Sequence, residues 1–446
     1  MTARNGANGA NGAKSTRRRK PAPAAVVADP PTGAMGRGVT ADSIKLGFVY
    51  PKGTYGGASA DGGAHASDRA IDLALIAWFN QNGGIAGRKI EPVFYENDEQ
   101  SSKTYRQREQ ERCVVFTEDN QVFAVYPHYT SSENEAACLA GTGTQLVVTN
   151  TAANASGRFD DESFRRYPNV WGPVTPSANR TFAALVNRAH AAKYFEGGGV
   201  TGVRLGLLYT DEPASRRAVE RSLKPALKAK GQSIAQEAAI MAPYNINDLA
   251  PMTSQIQSAV LRFRTNNISH VMIPTGLGSI IAGQFMRVAE SQGYRPRYAL
   301  ESGSAGLDRE PFSGTDVTPQ LKGAVYMGWD PSIDVGDQAS TQPARDCDGA
   351  MKKAGIKTPD PRGGGVCDFL LFLKAGLDGA TDVTPGGLAA GIRKAGRVAF
   401  VRTWSSDFGS GNHDGASLVR MAHFDFACHE AGGNRCWRYD TPQMPL

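Results

Sequence analysis

Tyr129, Thr130, Ser131 and Ser132 set four hydroxyls in a row, directly after the apolar run QVFAVYP and directly before ENEAACLAG. Hydroxyls at the junction of a strand and a helix, together with the unpaired N–H groups of the helix start, suit a carboxylate or another polar ligand group. The same position also suits Ser131 or Ser132 as a cap for its own helix, and neighbouring residues can divide the two roles. Asn97, Asp98 and Glu99 offer two carboxyls at the end of another strand. Adjacent side chains seldom converge on one substrate atom and no histidine accompanies them, so a solvated or capping role is expected.

Other chemistries lack their patterns. GTYGGASADGG, residues 53–63, has neither the spacing of a phosphate loop nor GxGxxG opening a helix, and it reads as a loop lining a cleft. Ser131, Ser215 and Ser302 do not stand in GxSxG, so a hydrolase elbow is absent. His423, Cys428, His429 and Cys436 could gather around zinc, but two cysteines flanking a Gly-Gly pair in ACHEAGGNRCW read instead as a disulfide-closed hairpin. No cofactor or metal is expected, and no enzymatic activity.

These residues need elements to hold them. SIKLGFVY is an apolar strand, Asp68 can cap the amphipathic helix DRAIDLALIAWFNQ, and Asn82-Gly83-Gly84 stops that helix. KIEPVFYEND, SSKTYRQREQERCVVF, QVFAVYP and TQLVVTN continue the alternation of strand and helix. A second cycle runs from VRLGLLYT to RPRYALES. Such alternation predicts an α/β protein with two Rossmann-like lobes, each a parallel sheet covered by helices. Ligands of these sheets bind outside the carboxyl ends of the strands. That rule selects residues 53–67, 129–133 and 151–156 in the first half, and 211–216, 275–279 and 301–306 in the second.

At 446 residues the chain is long enough for two domains. The net charge of +6 draws four positive charges from Arg17 to Lys20, leaving a nearly balanced body that does not favour nucleic acid. No run approaches the roughly 20 apolar residues of a membrane span. Residues 1–41, with a repeated NGA and PAPAAVVADPPTGAMGRG, cannot bury enough surface to fold and are expected to be a disordered tail. The apolar part of this tail is too short for a secretion signal.

The six cysteines fall into three separated pairs: Cys113 and Cys138, Cys347 and Cys367, Cys428 and Cys436. Disulfides between sequence neighbours are the simplest of the 15 pairings that six cysteines allow, and they would imply an oxidising compartment. Six separate buried thiols are the alternative.

Five segments carry a resemblance to a known family: SIKLGFVYPKG, NQNGGIAGRKIEPVFYEND, YTSSENEA, LVVTNTAAN and FMRVAESQGYRPRYALESG. In order and spacing, the chain from about Asp42 to Tyr439 resembles the type I periplasmic binding proteins, particularly the leucine/isoleucine/valine-binding group that serves ABC importers. The resemblance implies two lobes joined by three crossover strands, near residues 171–174, 325–329 and 402–407. The first lobe would comprise 42–173 plus 330–402, and the second 174–329 plus 403–446. It also implies a monomeric extracytoplasmic receptor that closes on a small molecule and delivers it to a permease. A sensor of the same fold, or an enzyme on the same scaffold, are the competing classes.

The resemblance assigns a carboxylate cradle to Thr130, Ser131, Thr151, Ala152 and Ala153. It gives the facing role to Glu301 or Ser302, with Asp211 and Thr275 beside them. Two family aromatic positions fall on small or polar residues here, at Ala214 or Ser215 and at Ala64 or His65. Tyr129 could supply a replacement ring. The expected ligand is therefore an amino acid or a related carboxylate or amide, with a larger hydrophobic solute also open.

Overall fold

The computed structural model describes residues 33–52, 67–98, 100–128, 131–149, 158–197, 202–274, 278–304, 317–336, 341–358, 360–430 and 436–446. The first body is built from β1 (Ser43–Pro51), α1 (Asp68–Gln81), β2 (Lys89–Asn97), α2 (Tyr105–Val114), β3 (Ala124–Tyr126), α3 (Glu133–Ala140), β4 (Gln145–Val147), α4 (Asp161–Arg166) and β5 (Val170–Trp171). All its strand pairs are parallel, in the order β2-β1-β3-β4-β5. The order reverses between β1 and β3, so a crevice opens beyond their carboxyl ends.

The second body repeats the plan with α5 (Ala178–Ala191), β6 (Leu205–Thr210), α6 (Pro213–Ala218), α7 (Lys224–Ala229), β7 (Ile234–Ile240), α8 (Leu249–Thr265), β8 (His270–Met272), α9 (Gly278–Ser291), β9 (Arg297–Glu301) and β10 (Val325–Gly328). Its parallel strands run β7-β6-β8-β9-β10, the same reversal one cycle later. The chain then returns to the first body with α10 (Pro331–Asp334), α11 (Gln342–Lys353), α12 (Pro361–Leu377) and α13 (Pro385–Ala395). Their apolar faces share one core with β1 and α1, including Ile44, Leu46, Leu75, Val366, Leu370 and Leu388. After the short pair β11 (Arg397–Val398) and β12 (Ser406–Asp407), the strand β13 (Leu418–Phe424) joins β10 antiparallel. Then α14 (Phe426–Glu430), β14 (Trp437–Tyr439) and β15 (Met444–Pro445) finish the second sheet.

Local chemistry explains most of the element ends. Thr104 and Gln107 form a reciprocal capping box on α2. Asp68 is not the cap of α1: the Ser67 hydroxyl accepts from the Ala70 N–H, and Asp68, one residue inside, is drawn into an ion pair with Arg362 at 3.1 Å. In the GGIAGRK segment, Gly84 has φ +64°, and a Cβ there would stand 1.9 Å from the Arg88 carbonyl, so the helix exit needs glycine twice over. The packed body also starts earlier than expected. Met35 bridges to Val383, and the Asp382 carboxylate receives the Ala34 N–H at 2.8 Å, so residues 33–41 belong to it. The rest of the expected tail, residues 1–32, lies outside the described residues.

All three neighbouring cysteine pairs are joined: Cys113–Cys138 between α2 and α3, Cys347–Cys367 between α11 and α12, and Cys428–Cys436 before β14. The third takes two of the four residues that could have held zinc. Titration of the denatured, unreduced protein is expected to find none of the six thiols. Replacing Cys113 and Cys138 by serine, which frees a loop of 25 residues, should lower stability by about 3 kcal/mol in urea unfolding.

Candidate functional site

Three passages of chain run between the two bodies, and polar side chains fasten them. Gly172 bridges to Asp414, whose carboxylate accepts the Ser177 N–H at 2.8 Å and pairs with Arg180 at 2.6 Å. The Asp368 carboxylate accepts the backbone N–H groups of Val401 and Arg402 at 2.6 and 3.1 Å. Asp330 caps α10 and lies 3.9 Å from the Arg402 guanidinium. Asp334 is buried and receives the hydroxyls of Tyr326 and Tyr439, each at 2.6 Å, and of Ser302 at 3.0 Å. Burial, and then repulsion from Asp330, raise the Asp334 carboxyl to about 7.

These contacts assemble two polar bridges between strand ends of opposite sheets. The first forms a floor. Beyond β4, the Thr149 carbonyl faces the Arg402 guanidinium at 3.5 Å; Arg402 faces Asp330; and the Asp330 and Trp329 N–H groups point to the Ser302 hydroxyl beyond β9. The second closes one side. Arg158 donates through Nη1 to the Ser131 carbonyl, beyond β3, at 3.0 Å and to the Tyr244 hydroxyl, beyond β7, at 3.1 Å. Tyr244 in turn donates to Glu212, beyond β6. The Tyr244 ring stacks on Tyr105 of the first body, centroids 4.0 Å apart and planes within 15°, and lies 4.8 Å from the Arg158 guanidinium carbon. Arg108 completes the seam by donating to the Tyr244 carbonyl at 2.9 Å and to the Asn245 side chain.

Beneath this side bridge lies a buried ionic group. Arg112 grips Glu135 through Nε and Nη2 at 2.5 and 2.8 Å, and Glu109 stands 3.7 Å from the same guanidinium. All three side chains are essentially excluded from solvent. Burial, then repulsion from Glu135, push the Glu109 carboxyl up to about 7, against the attraction of Arg112. Just beyond β3, His128 adopts φ +56°, a strained value for a non-glycine residue. Burial, helped by Arg362 and Arg402, lowers its imidazole to about 3, so it is neutral at physiological pH.

The expected site residues fare differently. Tyr129, Thr130, Thr151, Ala152, Ala153 and Thr275 lie outside the described residues. Ser132 caps α3, while the Ser131 hydroxyl is buried and among the described residues has no hydrogen-bond partner. Asp211 is exposed and paired with Arg216. Glu301 is buried and accepts the Gly303 N–H at 2.6 Å, and the Ser302 hydroxyl is engaged with the crossing backbone. Asp98 pairs with Lys52 on the surface at 3.1 Å. Sequence reading missed Arg158, Tyr244, Tyr105 and Glu109. The one available signal was position, since Arg158 follows the loop after β4 and Tyr244 the end of β7.

Glu109 gives the site a pH signature. Because its carboxyl is raised, its contribution to stability is complete below the unfolded value of about 4.3 and is lost as pH rises through about 7. Melting curves of Glu109→Gln and the unaltered protein should therefore differ progressively in the variant's favour between pH 4 and pH 8.

The sequence pattern of a family described as periplasmic binding protein matches residues 43–427. Among solved structures, a fatty acid ABC transporter substrate-binding protein from Thermomonospora curvata superposes with a TM-score of 0.61 at 16% identity, covering 92% of this chain and 95% of that one. An ABC transporter substrate-binding protein from Desulfitobacterium hafniense, in complex with Leu, gives 0.56 at 15% identity, covering 89% and 100%. A branched-chain amino acid transporter substrate-binding protein from Streptococcus pneumoniae, in complex with isoleucine, gives 0.54 at 14% identity, covering 91% and 99%. No curated protein matches the chain in sequence. At these identities the likeness establishes the fold, and the family match extends over most of the chain: it belongs to the periplasmic binding protein family and has the type I fold of that family.

Proposed function

We propose that the protein is an extracytoplasmic receptor for a small organic solute, which it delivers to the permease of an ABC importer. The observation that carries this reading is the pair of polar bridges. Each joins a strand end of one sheet to a strand end of the other, so a solute seated between them would touch both bodies. A ligand that contacts both bodies stabilises the closed arrangement by its differential affinity for it.

The bodies would act as lobes of residues 42–173 plus 330–402 and 174–329 plus 403–446, with 33–41 added to the first. The three fastened passages would be the hinge. Thr130, Ser131 and the backbone near Thr151 would form one half of the site, and Glu301, Thr275 and Asp211 would supply the other, with Ser302 holding the hinge. Disulfides throughout suit an oxidising compartment. Solved relatives bound to leucine and isoleucine, and one named for fatty acids, frame the solute as an amino acid or another carboxylate or amide. A monomer is sufficient for this mechanism. Among the described residues no helix is long and apolar enough to cross a membrane.

A thermal-shift screen of amino acids, organic acids and amides, followed by calorimetry, tests the reading. Thr130→Ala combined with Ser131→Ala should weaken the best solute about thirtyfold, two hydrogen bonds at about 1 kcal/mol each, with the melting temperature of the free protein preserved. Unchanged affinity would remove these residues from the site. Tyr244→Ala removes a stack worth about 1 kcal/mol. It should raise the radius of gyration of the unliganded protein in X-ray scattering and weaken solute binding about fivefold.

A further inference from the structure

Arg158 is 6% exposed, and among the described residues no carboxylate stands within ion-pairing distance of it. The acids around it are engaged elsewhere: Glu135 and Glu109 with Arg112, Glu212 with the Tyr244 hydroxyl. Glu212 and Glu109 attract Arg158 from beyond ion-pairing distance, but a buried guanidinium that no carboxylate meets directly is costly to fold around.

Its hydrogen bonds show where the missing partner belongs. Nη1 serves the Ser131 carbonyl and the Tyr244 hydroxyl. Nε and Nη2 are buried, and among the described residues neither has a hydrogen-bond partner. These two nitrogens form one edge of the planar guanidinium, with parallel N–H groups spaced to meet both oxygens of a carboxylate. The neighbouring Arg112 uses this same edge on Glu135, at 2.5 and 2.8 Å. Arg158 thus has the fork that its neighbour fills with a glutamate, left unfilled at the seam between the bodies. The Ser131 hydroxyl, also buried and without a partner, sits on the residue whose carbonyl Arg158 holds.

We propose that Arg158 is a ligand-binding residue, the counter-ion for a carboxylate of the solute, gripped through Nε and Nη2 with the Ser131 hydroxyl beside them. The proposal rests on the receptor reading above and narrows its solutes to carboxylates. A neutral amide would leave the charge uncompensated, whatever its apolar part.

Matched acid and amide pairs decide the matter: isovalerate and isovaleramide, hexanoate and hexanamide, benzoate and benzamide, titrated into the full chain at pH 7 by calorimetry. The unaltered protein should favour at least one acid over its amide by tenfold or more. Arg158→Gln should cost that acid about a hundredfold and leave the amide within about threefold, since charged hydrogen bonds are the ones removed. The free Arg158→Gln protein should melt within a few degrees of the unaltered one, because losing the Nη1 bonds to Ser131 and Tyr244 is offset by removing a buried charge without a paired counter-ion. Arg158→Lys, which keeps the charge and loses the fork, should cost the acid about tenfold, and it tests the same point if the glutamine variant does not fold. Acid binding unchanged in either variant overturns the proposal. A protein that binds the amides and ignores the acids also overturns it while leaving the receptor reading intact, whereas binding of neither class, together with no hit in the thermal-shift screen, overturns both.

Discussion

A parallel sheet whose strand order reverses cannot close over its own reversal point, because the connections on either side leave in opposite directions. Both sheets of this protein carry that constraint, between β1 and β3 in the first and between β6 and β8 in the second. The three passages fastened by Asp414, Asp368 and Asp330 hold the two crevices in register, and the cleft becomes a property of the pair. The polar floor and side bridges depend on that register, since their members come from strand ends of different sheets.

The side bridge illustrates how charge is managed at the seam. Arg108, Arg112 and Arg158 are all buried, yet each meets its surroundings differently. Arg112 is neutralised by Glu135 within its own body, and Arg108 binds neutral oxygens of Asn97 in its own body and of Tyr244 and Asn245 across the seam. Arg158 keeps one edge open. Three identical side chains within one neighbourhood thus carry a structural, a bridging and, as proposed, a recognition role, distinguished by which edge of the guanidinium is filled among the described residues.

Much of the fold was legible because its determinants are local. The apolar periodicity of SIKLGFVY and DRAIDLALIAWFNQ, the glycine exit at Gly84 and the neighbouring cysteine pairs act over short stretches of chain. What escaped reading depends on residues distant in sequence. Residues 33–41 looked unable to fold because the carboxylate and strand edge that receive them are Asp382 and Val383, almost 350 positions away. Ser67 displaced Asp68 as a cap because Arg362 competes for the aspartate. Tyr244 and Arg158 were not distinguishable from ordinary surface residues, since their partners belong to opposite bodies. The hydroxyl row at 129–132 was readable as a site and a cap at once, and Ser132 takes the cap while Ser131 does not.

The strand β13 runs against the direction of the sheet it extends, β14 turns back beside it, and the Cys428–Cys436 disulfide braces their connection. Their position gives β10, which leads directly into a passage between the bodies, a hydrogen-bonded neighbour on each side. A strand at the margin of a sheet offers its unpaired backbone groups to other chains. With β13 in place, movement at the adjoining passage would not bare such a margin, and β10 is guarded against self-association through its backbone.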